Sequence, residues 1–163
     1  MRKQLVISLL GLILSSRVQA AVPRQLNAFS EGERLVYAKV VKAYRGNDLD
    51  EAKRQRNLLE KHYPNSIHLA NAFYLTGVLE YQKNYFANAV RDFGVVADRY
   101  PMASKRPAAM YAKAAIYERL GLKPQSDRLL KILMKEYPGS QESQRAAVQL
   151  KVAQAVKAKA PKR

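Results

Sequence analysis

The dipeptide Tyr-Pro stands at Tyr63-Pro64, Tyr100-Pro101 and Tyr137-Pro138, at intervals of 37 and 37 residues, and each copy closes a run of helically spaced apolar residues. Proline has no N–H to donate and pushes the residue before it out of helical geometry, so each copy stops a helix. A stop that returns at a fixed interval marks an internal repeat. A unit of this size cannot bury its own apolar face, so the units must stack.

Overlaying the units aligns Asn47, Asn84 and Gly121, residue types that tolerate the left-handed conformation ending a helix. Each unit therefore reads as helix, turn, helix. First helices are expected over 31–45, 67–83 and 105–120, and second helices over 50–62, 86–99 and 125–136. Ser30 with Glu33, and Asp48 with Glu51, match the capping box; Ser66 and Ser140 are further N-cap candidates. Pro107 and Pro124 fall near helix starts, where a missing N–H costs little. The repeats occupy 30–140, divided as 30–64, 66–101 and 104–138. A segment at 141–158 with Ala147, Val148, Val152, Ala155 and Val156 on overlapping turns is expected to cap the array, and 159–163 form a basic tail expected to be disordered.

The second unit resembles the tetratricopeptide repeat at Phe73, Gly77, Ala89, Phe93 and Pro101, with Phe86 as the aromatic after the turn. The register continues through Val36, Val40, Ala52, Leu59 and Pro64 in the first unit, and through Met110, Ala114, Tyr117, Ser126, Leu130, Leu133 and Pro138 in the third. Arg56 departs from the pattern where it calls for an aromatic or leucine, Glu80 where it calls for tyrosine, and Lys39, Thr76 and Lys113 where it calls for leucine. A period of 37 exceeds the usual 34. With the Tyr-Pro stop, it is most similar to the repeats of BamD-like and CpoB-like (YbgF-like) bacterial envelope proteins. The resemblance implies an all-α fold, a right-handed superhelix of three helical hairpins with a C-terminal cap, and a role in holding other proteins.

Residues 1–20 read as a secretory signal peptide: Met1, Arg2 and Lys3 give a positive start, an apolar run extends from Leu5 to Leu14, and Val18-Gln19-Ala20 supplies small residues at cleavage spacing. The run is about half the 20 residues a spanning helix needs. Cleavage near Ala20 would leave 21–29 as a short extension ahead of the repeats and a periplasmic or secreted protein. The chain has no cysteine, which excludes lipid attachment at that residue and leaves stability to packing. With 29 Lys and Arg against 13 Asp and Glu, the formal charge is +16; removing the leader takes three basic and no acidic residues and leaves +13.

No glycine-rich phosphate loop, G-x-S-x-G or H-E-x-x-H occurs, and no nucleophile, base and orienting group share an interpretable spacing, so no catalytic residue is assigned and an enzyme is not expected. His62 and His68 flank a Tyr-Pro stop and are expected to be solvent-exposed, not metal ligands. Asp48, Asp50 and Glu51 are read as helix-capping acids; neither metal nor cofactor is implied.

In tetratricopeptide-like folds the first helices line the concave wall, and residues recurring there at the repeat period are contact candidates. Tyr37, Tyr74 and Tyr111 share one position, Tyr44 and Tyr81 another, and Arg45, Gln82 and Arg119 a third, with Arg34 and Asn71 as a polar edge. These residues are assigned to a groove whose tyrosines stack on a peptide and whose arginines pair its acidic groups. The competing reading has the tyrosines packing neighbouring helices with only their hydroxyls wet. The leading function is therefore an envelope adaptor that holds a protein or peptide partner. The alternative is a basic protein that contacts an anionic membrane surface or polyanionic polymer through charge. Nucleic acid conflicts with export, and no base-reading motif is present.

Overall fold

Asn47, Asn84 and Gly121 adopt positive φ of 53°, 61° and 75°, and around each the chain closes the same paired turn. The N–H of Asn47 bonds Tyr44 O and that of Asp48 bonds Ala43 O; Asn84 and Tyr85 bond Tyr81 O and Glu80 O, and Gly121 and Leu122 bond Glu118 O and Tyr117 O. This double closure satisfies helix-end carbonyls that would otherwise be orphaned, and it reverses the chain into a helical hairpin.

The computed structural model describes residues 24–159, with side chains from 31 to 155. Among them are seven helices and no strand: α1 (Arg24–Arg45), α2 (Leu49–His62), α3 (Leu69–Gln82), α4 (Phe86–Arg99), α5 (Arg106–Arg119), α6 (Lys123–Glu136) and α7 (Gln141–Lys159). The protein is all-α over this range. The proposed leader at 1–20 lies outside the described residues, as does the tail expected over 159–163 except for Lys159, which ends α7. No described helix is long and apolar enough to cross a membrane.

Helix starts differ from the sequence reading most at α1, and by one or two residues at α2, α3, α5 and α6. Helix α1 starts at Arg24 and not at Glu31, so Ser30 lies inside the helix and does not cap it. No proline interrupts 24–31, and helical geometry continues back through it. Glu33 instead accepts a hydrogen bond from the Ser66 hydroxyl at 2.5 Å. Helix α3 starts at Leu69, because Ser66 Oγ accepts from the His68 N–H at 3.1 Å and holds a turn ahead of the helix. At α2, Asp48 caps the Glu51 N–H at 2.9 Å as expected, but the reciprocal half of the capping box is missing: the Asp48 N–H bonds Ala43 O, and the Glu51 carboxylate bonds Arg54 and Gln55. Ser140 caps α7 through the Ser143 N–H at 3.1 Å.

Each Tyr-Pro stop makes one further repeated bond. The carbonyls of Tyr63, Tyr100 and Tyr137 accept from the N–H groups of Ser66, Ala103 and Ser140 at 2.9–3.0 Å. The three tyrosines pack against the cores.

Helices pair as α1–α2, α3–α4 and α5–α6; each hairpin packs on the next element, and α1 also touches α3 while α5 touches α7. The main core joins Val40, Leu59, Phe73, Phe93, Val96 and Ile116, and a second core of Met110, Leu130, Leu133 and Ala146 ties α7 to the last hairpin. Each such side chain contributes about 1.5–3 kcal/mol by leaving water. Ala52, Ala89 and Ser126, at equivalent positions, are 0–1% exposed and let paired helices approach closely.

Candidate partner-binding surface

The first helices position the tyrosines, and every one of them leans on a neighbour while keeping part of its surface exposed. Tyr37 stacks on His68, ring centroids 4.3 Å apart at 8°, and its hydroxyl accepts from Asn71 Nδ2. His68 is therefore half-buried under an aromatic ring and not freely exposed, whereas His62 is exposed. Tyr74 tilts against Phe93 at 5.7 Å, and Lys105 Nζ lies 5.5 Å from its ring centroid. Burial, with the nearby Tyr44 and Glu142, pushes the Tyr74 hydroxyl above its ordinary pKa. Tyr44 rests on a small core of Ala43, Leu49, Ala52 and Leu79.

Tyr81 tilts against Phe86 at 5.8 Å, and the Arg119 guanidinium sits 5.0 Å from the centre of that same ring. Phe86 thus bridges two assigned residues from different hairpins. Tyr111 packs on the second core and faces a shallow cleft of about 540 Å³ formed with Gln141, Gln144, Arg145, Val148 and Gln149 of α7. Arg34, Arg45 and Gln82 are exposed. The assigned residues therefore come together as three local groups: Tyr37 with Asn71, Tyr44 with Tyr74, and Tyr81 with Arg119. The sequence reading missed His68, Lys105 and the polar face of α7. For α7 a signal existed, since Gln141, Gln144, Arg145, Val148 and Gln149 recur at helical spacing.

The main polar feature lies beneath this wall. Arg56, Thr76, Glu80 and Asp92 are 0–6% exposed and meet between the first and second hairpins. Arg56 Nη1 pairs with the Asp92 carboxylate and donates to Thr76 Oγ1 at 3.0 Å, Thr76 Oγ1 donates to Asp92 Oδ2 at 2.6 Å, and the guanidinium lies 4.7 Å from the Phe73 ring centre. Lys53 Nζ approaches Glu80 Oε1 to 3.2 Å, close enough to pair but out of line for a hydrogen bond, so both Glu80 oxygens lack one. Among the described residues no group of three or more His, Asp or Glu converges as a metal site.

Burial first, and then Asp92, pushes the Glu80 carboxyl above its ordinary 4.5. The folded chain thus holds that proton more tightly than the unfolded chain does. The stability this contributes is full below pH 4.5 and is lost as pH rises through the folded value. Glu80→Gln, which keeps the shape and removes the charge, is expected to raise the melting temperature at neutral pH. The gain should vanish in melts below pH 4.5; an equal gain at both pH values would show that Glu80 is not protonated by folding.

No protein-family model and no curated protein matches the sequence.

Proposed function

We propose that the protein is an exported scaffold of the bacterial envelope, a tetratricopeptide-type superhelix of three hairpins that holds an acidic peptide segment of a partner along its first helices. The observation that carries this reading is the recurrence of Tyr37, Tyr74 and Tyr111 at the repeat period, each half-buried on a rigid helix with one edge exposed. Tyrosine so held contributes contact area with little entropy to lose, and a neighbouring guanidinium offers a planar fork for carboxylates. Lys105 and Arg119 already sit over aromatic rings of this wall, so positive charge is fixed beside apolar surface. The contacts of α1 with α3 and of α5 with α7 support first helices that share one side of the stack. Its chemistry is reversible association, without catalysis or cofactor.

The test is crosslinked capture from envelope extract, followed by titration with the acidic segment recovered. Tyr74→Ala confounds stability with contact because Tyr74 leans on Phe93. Arg45→Glu with Arg119→Glu is cleaner, since both side chains are exposed. Loss of two hot-spot contacts predicts affinity lower by about thirtyfold or more, with unchanged helicity by circular dichroism. Unchanged affinity would refute the groove.

A further inference from the structure

The second helices of the three hairpins carry a pattern that the groove does not use. Arg54, Arg91 and Arg128 are equivalent at intervals of 37 and 37, and so are Leu58, Val95 and Ile132 four residues further along each helix. The buried positions of these helices fall elsewhere, at Ala52 and Leu59, Ala89 and Val96, Ser126 and Leu133. The three arginines, Leu58 and Ile132 therefore point away from the core, while Val95 lies partly buried against it. All three arginines are exposed, Leu58 and Ile132 are 41% and 40% exposed, and Val95 is half-buried.

Charge on this side is one-sided. Arg91 and Arg128 form no ion pair among the described residues, while Arg54 is held by Glu51 at 2.6 Å. Lys61, Lys131 and Lys135 are exposed nearby. Most of the acids are answered: Glu60 by Arg99 at 3.3 Å, Asp127 by Lys123 at 3.6 Å, and Asp98, at the position of Lys61 and Lys135, by Lys113 at 3.8 Å, whereas Asp50, one turn before Arg54, is exposed and forms no ion pair among the described residues.

The positive row repeats at every hairpin, and in the first and third an exposed aliphatic side chain lies one helical turn, about 5.4 Å, from its arginine. Such a face has no wall from a second element: even its cleft of about 540 Å³ around Asp127, Arg128, Lys131 and Ile132 is lined by α6 alone. A peptide laid on it would be covered from one side only, whereas the boundary of a bilayer meets both rows at once, with phosphates opposite the arginines and acyl carbons opposite the aliphatics. We propose that the outer face of α2, α4 and α6 docks on an anionic phospholipid surface, as a peripheral contact made independently of the groove. No described helix is long and apolar enough to span, so this contact is superficial.

The experiment is co-sedimentation of the full chain with phosphatidylcholine vesicles, alone and doped with phosphatidylglycerol; the undoped vesicles measure what the apolar leader contributes. Binding should require phosphatidylglycerol and weaken with salt. Arg91→Gln with Arg128→Gln should weaken it on the order of twenty-five-fold, about fivefold for each arginine. Ile132→Ser should weaken it further without changing its salt dependence. Deleting Lys157 to Arg163 should leave most of it intact. The proposal is overturned if the double arginine variant binds as the parent does, if deleting the tail alone abolishes binding, or if the chain is retained by soluble polyphosphate and not by vesicles. Capture of a partner peptide by these variants should match the parent, which separates failure here from failure of the groove.

Discussion

Arg56→Ala is expected to lower the unfolding free energy by about 3–5 kcal/mol, a drop of roughly 10 °C or more in melting temperature for a chain of this size. The cost is not the ion pair's own worth, because desolvating both partners offsets most of their attraction. It arises because Asp92, 1% exposed, is left charged with only the Thr76 hydroxyl to answer it, while Glu80 stands nearby with both oxygens lacking hydrogen bonds. Replacing both members of the pair with leucine should recover most of the loss, since apolar residues of similar volume need no solvation and Thr76 can still donate to Phe73 O at 3.1 Å. Urea denaturation of the parent, Arg56→Ala and the double leucine variant decides the point. A small single effect with no recovery would mean the pair is not buried as described. Hydrogen exchange should show the opening concentrated in α1 and α2, because Arg56 and Lys53 fasten that hairpin to Thr76, Asp92 and Glu80 of the next.

This seam also shows what could be read in the sequence. The all-helical character, the three turns and most helix ends were legible, because each depends on a few adjacent residues: a proline that stops a helix, or an Asn or Gly with positive φ. The start of α1 was not, because Ser30 and Glu33 fit a local cap that a long-range bond from Ser66 to Glu33 displaces. Arg56, Thr76 and Glu80 were each visible as departures from the repeat pattern. Their convergence on Asp92 was not, since it depends on how one hairpin is rotated on the next. The seam occurs once: the positions equivalent to Arg56, Thr76, Glu80 and Asp92 in the following unit hold Phe93, Lys113, Tyr117 and Leu129. Likewise the tyrosine positions were legible from the period, but their supports, His68 under Tyr37 and Phe93 under Tyr74, come from other helices.

Phe93→Ala is expected to cost about 3–5 kcal/mol, and it should reach the proposed partner-binding wall as well as the core. The ring is 1% exposed and lies against α3 at Gly77, where an added Cβ would meet Cε1, Cδ1 and Cζ at 2.9, 3.0 and 3.2 Å. Glycine inside a helix sacrifices about 1 kcal/mol relative to alanine, so Gly77→Ala would stabilise if space allowed. Ring atoms packed this closely cannot yield without moving the core, and overpacking costs about 1–3 kcal/mol, so Gly77→Ala in the parent should be neutral to destabilising. In a Phe93→Leu background the ring edge is gone and the sign should reverse. A double-mutant cycle over these four proteins measures that coupling directly; stabilisation by Gly77→Ala already in the parent would show that the ring does not lie on the helix. Tyr74 leans on the same ring, so shrinking Phe93 frees the tyrosine to tilt into the space vacated. Peptide affinity should then fall in Phe93→Leu even where the protein remains fully folded, whereas Gly77→Ala added to that background should restore part of it by refilling the support.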